Sequence, residues 1–244
     1  RFTITRIKKM KKILITGGNG NFAKRIIAEN KKYKIIAPNK KKLNINNLNL
    51  LINYIKKNKP DYIIHSAALS SPMSQHNYKI IDSININIIG TSNVAVACEL
   101  LNTKMIYIST NFVYPGIKGN YSENDGLLPI NNYGWSKLGG ECAVKLLKKH
   151  LILRICMTKD IFPHKKAYVN YISSYLTQTQ AAILTLKLIN KSGTINVGGK
   201  SLSAYKFAKL TKQTVLKGKL LKKNVKLVGI NTSINISKLK KILK

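Results

Sequence analysis

The chain has 244 residues, 44% of them hydrophobic, enough for one sizeable core carrying a small accessory lobe. Its formal charge of +35 comes from 43 Lys and Arg against 8 Asp and Glu. The lysines are spread along the whole chain and no basic run is interleaved with aromatics as a base-stacking platform, so the charge speaks to solubility and a specific nucleic-acid partner is not expected.

The first residues, RFTITRIKKM, lack the apolar core and small-residue cleavage site of a secretory signal, and residues 1–10 are expected to be an N-terminal extension with Met10 as the start. Beyond it, short β-branched runs alternate with helical patterns. KILIT (12–16), YKIIA (33–37), DYIIHSA (61–67), KMIYIS (104–109) and LILRI (151–155) predict strands. LNLLINYIKKN, TSNVAVACELL and SKLGGECAVKLLKKH predict helices between them. That order implies an α/β fold of the Rossmann type, a doubly wound parallel sheet over residues 11–155 covered by helices on both faces. Residues 156–244 are expected to form a reduced substrate lobe interleaved with the last Rossmann elements. Those elements are a helix in SSYLTQTQAAILTLKLIN, the strand TINVG, a helix capped by Ser203 and a last helix after Ser237. No stretch approaches the ~18 to 20 uninterrupted apolar residues of a membrane span. A chain without such a span, in the cytoplasm, is expected.

Directly after the first strand comes TGGNGNFAKRI. Gly18, Gly20 and Ala23 satisfy G-x-G-x-x-G/A, and Gly17, Gly20 and Ala23 the wider G-x-x-G-x-x-G/A spacing. Glycine is needed where the backbone turns tightly and where a pyrophosphate approaches main-chain N–H groups at a helix N-terminus. Between a strand and a helix this turn, with Asn21 and Phe22, is a candidate dinucleotide site. An acid at the end of the second strand would bind the ribose of NAD, but the chain has no acid between Glu29 and Asp61. The segment there is PNKKKLNINN, so Asn39 and Lys40, with Lys41 and Lys42, stand where a 2′-phosphate could be met, which favours NADP(H) over NAD(H).

Twelve tyrosines in so basic a chain give about two chance Tyr-x-x-x-Lys/Arg matches. Three occur: Tyr114/Lys118, Tyr133/Lys137 and Tyr205/Lys209. The first contains Pro115 and Gly116, which disfavour a helix. The third lies far downstream with no hydroxyl-bearing strand end before it. Only Tyr133/Lys137 opens a helix after a strand ending in YIST. A carbonyl reductase needs a hydroxyl to hold the keto oxygen, here Thr110, and a phenol to deliver the proton, here Tyr133. Lys137, one helical turn on, would stabilise the phenolate and lower the tyrosine pKa.

TGGNGNFA, DYIIHSAA, NIIGTSNV, YISTNFVYPG, YGWSK and LILR, in this order over roughly residues 11 to 155, make the chain resemble the extended short-chain dehydrogenase/reductase family. STNFVYPG and the later INVGGKSLSAYKFAK and INTSINISKLKKIL are similar to its dTDP-4-dehydrorhamnose reductase branch. The resemblance implies that Thr110 orients the keto oxygen, that Tyr133 is the general acid and that Lys137 holds the nicotinamide ribose. It implies that Ala67, Ala68, Leu69, Asn44 and Asn87 neighbour the cofactor, and that Val113, Tyr114, Arg154, Phe162 and His164 neighbour a sugar nucleotide. Arg154, ending a buried strand, reads equally as a structural ion-pair partner. Two family carboxylates are amides here, Asn44 and Asn111, and the region between Arg154 and INVGG is short for a complete substrate lobe.

Cys98, Cys142 and Cys156 form no CxxC pair and are odd in number, which argues for reduced thiols. His65, His76, His150 and His164 form no ligand cluster, so no metal is expected, and His65 is expected to pack beside the cofactor. Ser109 and Cys142 have no base at readable spacing, so hydrolysis is not supported. The leading expectation is an NADPH-dependent reductase of a nucleotide-linked 4-keto-6-deoxy sugar, with that sugar nucleotide and a second copy of the chain as partners. A nucleotide-sugar epimerase or dehydratase with tightly held NAD, and a non-catalytic NADP-binding regulatory subunit, stay open beside it.

Overall fold

Six parallel strands make the central sheet of this computed structural model, which describes residues 10–244. The expected extension over residues 1–9 lies outside the described residues. The strands are β1 (Lys12–Thr16), β2 (Lys34–Ile36), β3 (Tyr62–His65), β4 (Lys104–Thr110), β5 (His150–Ile155) and β6 (Gly193–Val197), and their spatial order is β2-β1-β3-β4-β5-β6. Every adjacent pair is parallel. The direction in which successive strands are added to the sheet reverses between β1 and β3, and the crevice outside the strand ends at such a switch point is where open α/β sheets bind ligands.

Because strand side chains alternate between faces, the apolar residues divide into two cores. Ile13, Ile15, Ile64, Ile106, Ile108, Leu151 and Leu153 face α1 (Asn21–Glu29), α5 (Gln178–Leu188) and α8 (Ser237–Leu243). Leu14, Ile63, Met105, Tyr107 and Ile152 face α2 (Leu48–Asn58), α3 (Ile80–Leu100) and α4 (Asn132–Lys145). A third cluster, built on Phe162, Ala167, Tyr171, Ala204, Ala208, Val215 and Leu220, forms a lobe with α6 (Ala204–Thr211), α7 (Lys222–Val228) and pairs of two- and three-residue strands.

Two elements differ from their expected extents. The helix expected in residues 173–190 begins only at Gln178. Thr177 closes it with a capping box, its hydroxyl accepting from Gln180 N (3.2 Å) while the Gln180 side chain accepts from Thr177 N (2.9 Å). The residues before it pair as strands instead, Leu176–Thr177 with Met157–Thr158 and Ile172–Ser173 with Leu202–Ser203. The helix expected from TSNV begins eleven residues earlier, at Ile80, and passes through a π segment over Ile84–Ile89.

The isoleucine-rich start of α3 hides its helical period because its polarity is partly inverted. Ser83, Asn87 and Thr91 are buried, whereas Ile80, Ile81, Ile84, Ile89, Val96 and Leu100 are exposed. By length and composition alone this helix could cross a membrane, although polar residues such as Asp82, Asn85 and Asn87 interrupt it; in the fold its inner side packs against α4 and the sheet.

What brings α4 close enough to matter is a set of missing side chains. A Cβ at Gly134 would lie 2.3 Å from Phe112 O, and one at Gly140 would lie 2.5 Å from the Tyr107 hydroxyl and 2.8 Å from Asn87 O. Such overpacking against backbone costs about 1–3 kcal/mol. Gly140→Ala is expected to lower the urea midpoint by a corresponding amount with an unchanged m-value, measured by equilibrium unfolding.

Candidate active site

The turn after β1 is shaped by glycine. Gly17 has φ +69°, and a Cβ there would lie 2.8 Å from the Ala67 Cα, so the loops after β1 and β3 touch. Gly20 N donates to Gly17 O (2.8 Å) and Gly18 N to Pro38 O (3.0 Å). Gly20 then caps α1, whose first turn has no side-chain cap and no acid. That leaves first-turn N–H groups at the positive end of the helix for an anion, and the turn fits a dinucleotide pyrophosphate. Asn21 is exposed at this end. Phe22 and Ala23 are core residues, so what they could offer a ligand is main chain.

Past β2 the asparagines serve the backbone. The Asn39 side chain accepts from Lys42 N (3.0 Å) and that of Asn44 from Asn46 N (3.1 Å), both closing turns, while Lys40 is exposed. Ala67, Ala68 and Leu69, half-buried, continue from β3. Asn87, in the π segment of α3, is fully buried, and its amide is spoken for. Its oxygen accepts from Leu69 N (2.8 Å), and its nitrogen donates to Leu69 O (2.9 Å) and the Ser136 hydroxyl (2.9 Å). The expected cofactor neighbour is thus a clamp joining the loop after β3 to α4.

Two of the three expected catalytic residues touch at the C-terminal end of β4, where Thr110 hydrogen-bonds the Tyr133 phenol, and Lys137 follows one helical turn on. Thr110 ends that strand, and its hydroxyl accepts from Phe112 N (3.3 Å). Asn131 caps α4 by accepting from Gly134 N (2.8 Å), which sets Tyr133 in the first turn and Lys137 one turn on. The Tyr133 ring packs against His76 (centroids 5.2 Å) and Phe112 (6.1 Å). Burial holds the Tyr133 phenol above its ordinary pKa, and a hydrogen bond from Thr110 works the other way.

Lys137 is 3% exposed, and burial lowers its ammonium to about 7, opposed by the Glu141 carboxylate. The expected lowering of the tyrosine by this lysine is not found. The Lys137 Nζ lies instead over the Tyr107 ring, 4.2 Å from its centroid. Tyr133 is therefore kept as a protonated donor, the form a general acid requires.

The residues expected around a substrate are mostly committed to the interior. Arg154 donates from Nη2 and Nε to Glu141 (2.8 and 3.2 Å) and from Nη1 to the Tyr114 hydroxyl (2.8 Å) and Glu123 O (3.3 Å). It is the structural ion-pair partner, not a free guanidinium. Tyr114 is buried, stacks on Tyr121 (5.0 Å) and donates to Asn196 Oδ1 (2.9 Å); Val113 is fully buried. Phe162 packs in the lobe's own cluster with the exposed His164 against its ring (5.5 Å).

His65 is buried between two threonine hydroxyls, Nδ1 at 2.7 Å from Thr16 and Nε2 at 3.0 Å from Thr91. Sequence reasoning missed four residues of this neighbourhood. Tyr107 and Glu141 lie within quoted motifs: Tyr107, two residues before Ser109, shares its strand face toward α4, and Glu141 follows Lys137 by one helical turn. Asn111 donates to Thr232 O (3.1 Å), tying β4 to the lobe. His76 bonds Ser83 through Nδ1 (2.6 Å), and its buried Nε2 finds no partner among the described residues. Asn111 lies in the quoted YISTNFVYPG motif, where it stands out only as an amide replacing a carboxylate; His76 has no signal beyond its residue type.

Comparison with known proteins agrees with this geometry. Residues 10–184 match the family model described as the RmlD substrate binding domain. A dTDP-4-dehydrorhamnose reductase of Aggregatibacter actinomycetemcomitans is 31% identical over 154 residues, 61% of this chain and 52% of that protein. Methionine adenosyltransferase 2 subunit beta of Bos taurus is 28% identical over 143 residues, 55% of this chain and 42% of that protein. The chain thus spans about half the length of the curated relatives it matches. Among solved structures, the dTDP-4-dehydrorhamnose reductase of Bacillus anthracis in complex with NADP superposes with a TM-score of 0.85 at 26% identity, covering 96% of this chain and 93% of that one. The motif order, the switch-point loop and the matched span together place this chain in the RmlD substrate binding domain family, an extended short-chain dehydrogenase/reductase-like fold.

Proposed function

We propose that the protein is an NADPH-dependent reductase acting on the keto group of a nucleotide-linked 4-keto-6-deoxy sugar. The observation that supports this is the Thr110–Tyr133 hydrogen bond at the end of β4, with Lys137 one helical turn after Tyr133 and an uncapped α1 N-terminus following β1. The likeness to an NADP complex of a dTDP-4-dehydrorhamnose reductase supports both the substrate class and the cofactor.

A reduced nicotinamide supplies hydride to the carbonyl carbon when bound. The first-turn N–H groups of α1 and the Gly17–Gly20 turn would hold its pyrophosphate, and Lys40 would meet a 2′-phosphate. Thr110 donates a hydrogen bond to the keto oxygen and Tyr133 passes its proton to that oxygen as the alcohol forms. Lys137, one helical turn after Tyr133, would hold the nicotinamide ribose. Because the Tyr133 phenol is held high, it stays protonated at neutral pH until the carbonyl oxygen becomes basic. The three free cysteines, Cys98 and Cys156 buried, suit a reducing cytoplasm.

A second reading, a dinucleotide-binding subunit without turnover of its own, is favoured by the likeness to methionine adenosyltransferase 2 subunit beta and by the interior commitment of Arg154 and Tyr114. We infer further that the chain pairs with a second copy through α3 and α4. Between Ile80 and Leu100 there is no Lys or Arg, in a chain with 43 of them; Ile81, Ile84, Val96 and Leu100 are exposed, as are Trp135 and Leu146 on and just after α4. Ile88 lies against Gly139, which joins the two helices. An apolar helix whose charged residues are the two acids Asp82 and Glu99 lets two strongly basic molecules associate without opposing like charges.

Three measurements test these readings. Tyr133→Phe is expected to lower NADPH consumption with dTDP-4-keto-6-deoxyglucose by at least ~100-fold, followed by loss of reduced-nicotinamide absorbance; retained turnover rejects the assigned acid, and binding of NADPH with no turnover in the unmutated protein selects the second reading. NADPH is expected to raise the melting temperature more than NADH, with the difference shrinking in Lys40→Ala. Light scattering coupled to size exclusion should return a dimer mass, and Val96→Lys with Leu100→Lys should return a monomer.

A further inference from the structure

The face of Tyr107 has no part in the reading above, yet the Lys137 ammonium lies directly over it. Tyr107 is fully buried on β4, and Lys137 Nζ lies 4.2 Å from its ring centroid. The same phenol donates through its hydroxyl to Lys137 O (3.1 Å), so one side chain grips the lysine at its main chain and at its charged end. On the sheet, Tyr107 pairs in register with His65, and His65 pairs with Thr16. The His65 imidazole is nearly parallel to the Tyr107 ring, at 17° and 5.8 Å between centroids.

We propose that Tyr107 is a positioning residue which seats the Lys137 ammonium on its aromatic face, fixing that charge in place and keeping it protonated in a buried site where the proposed reduction needs it. The inference rests on the reductase reading for its consequence in catalysis but not for the contact itself.

The electrostatics of the surroundings are consistent with this seat. An aromatic face is electron-rich and attracts a cation most strongly where water is excluded. Burial pulls Lys137 down to about 7, so its protonation at neutral pH is finely balanced and responds to any favourable contact. The groups that face it are few. Glu141 on α4 favours the charge, although its carboxylate is shared with Arg154 of β5 and the Ser109 hydroxyl of β4. His65 on β3 and His76 in the turn over Met73–Asn77 are both pushed toward the neutral form by burial, His65 to about 3. Tyr107 itself is held well above its usual range by burial and stays a neutral phenol, as does Tyr133. Cys142, the remaining titratable neighbour of Tyr107, lies on the outer side of α4. A neutral His65 matters because a charged imidazolium on the ring would repel the ammonium through it. The two threonine hydroxyls that bracket His65, one able to donate and the other to accept, suit that neutral form.

The test changes the ring's charge distribution while keeping its shape. Phenylalanine, and phenylalanines carrying one, two and three ring fluorines, are placed at position 107 of the full chain. The Lys137 pKa is followed by 13Cε–15Nζ NMR of lysine-labelled protein, with the resonance identified by its absence in Lys137→Arg. Tyr107→Phe should leave the midpoint near that of the unmutated protein, and each fluorine should lower it, the trifluoro ring by about one unit, a tenfold rise in the acid dissociation constant. A midpoint unmoved across the fluorinated series overturns the proposal. Because this readout needs no substrate, it stands or falls separately from the reductase reading. Where turnover is present, loss of activity with rising pH should move to lower pH in step with the lysine.

Discussion

The buried ion pair between Glu141 and Arg154 fixes where the second half of the molecule sits relative to the first. It joins α4, which carries Tyr133 and Lys137, to β5, and its satellites extend the tie. Ser109 of β4 donates to the same carboxylate, Tyr114 accepts from the guanidinium, and Tyr114 donates in turn to Asn196 of β6. The Asn196 amide reaches Tyr121 O (2.8 Å), and its main-chain N–H donates to the Glu123 carboxylate (2.9 Å). A buried pair of this kind is weak evidence for net stability, because desolvation offsets attraction, but breaking one costs about 3–5 kcal/mol. Its contribution here is geometric. The guanidinium is satisfied in one arrangement of α4 over β4 and β5, and that arrangement sets the distance between Thr110 and the first turn of α4.

A second constraint acts on the same helix from its other side. The Asn87 clamp and the close approach permitted by Gly139 and Gly140 hold α4 against the π segment of α3. π segments place an extra residue in a helical turn and recur at functional sites. The clamp also pins the loop after β3, which contacts the glycine turn at Gly17. The glycine turn, the loop beside it and α4 are therefore joined by close packing and short polar bonds that need no ligand. Preorganisation of this kind would let the proposed site take its ligands without a large ordering cost.

Much of this was legible in the sequence because strand and helix periods are strong where one face is buried. The five early strands, the glycine turn and the helix that sets Lys137 one turn after Tyr133 follow from alternation, spacing and order. What was not legible depended on partners distant in sequence. Arg154 could be a ligand or an ion-pair member until Glu141 was seen to occupy it. The start of α3 reads as a β-branched run because its polar residues face inward, toward bonds that no local pattern reveals. Asn39, Asn44 and Asn87 stand at positions that the resemblance gives to a cofactor, yet an amide can close a turn or clamp a loop as readily as it can bind a ribose. The choice is made by which backbone groups lie within reach.

The shortage of carboxylates sharpens the reading of those that remain. Of eight acids, Glu141 holds Arg154, Asp125 holds Lys118, Asp160 pairs with Arg25 and accepts from Thr179 N, Asp61 accepts from Lys12 N, and Glu123 accepts from Asn196 N. Each ties segments that are separate in the fold or closes a loop. In a molecule of net charge +35, any added carboxylate would lower self-repulsion, so acids concentrated at structural joints reflect local bonding and not a general demand for negative charge. Burial opposes the ammonium at residue 137, and one carboxylate already shared with an arginine is a weak counterweight. An uncharged attractor that costs nothing to bury, such as an aromatic face, is the kind of partner this site's electrostatics leave room for.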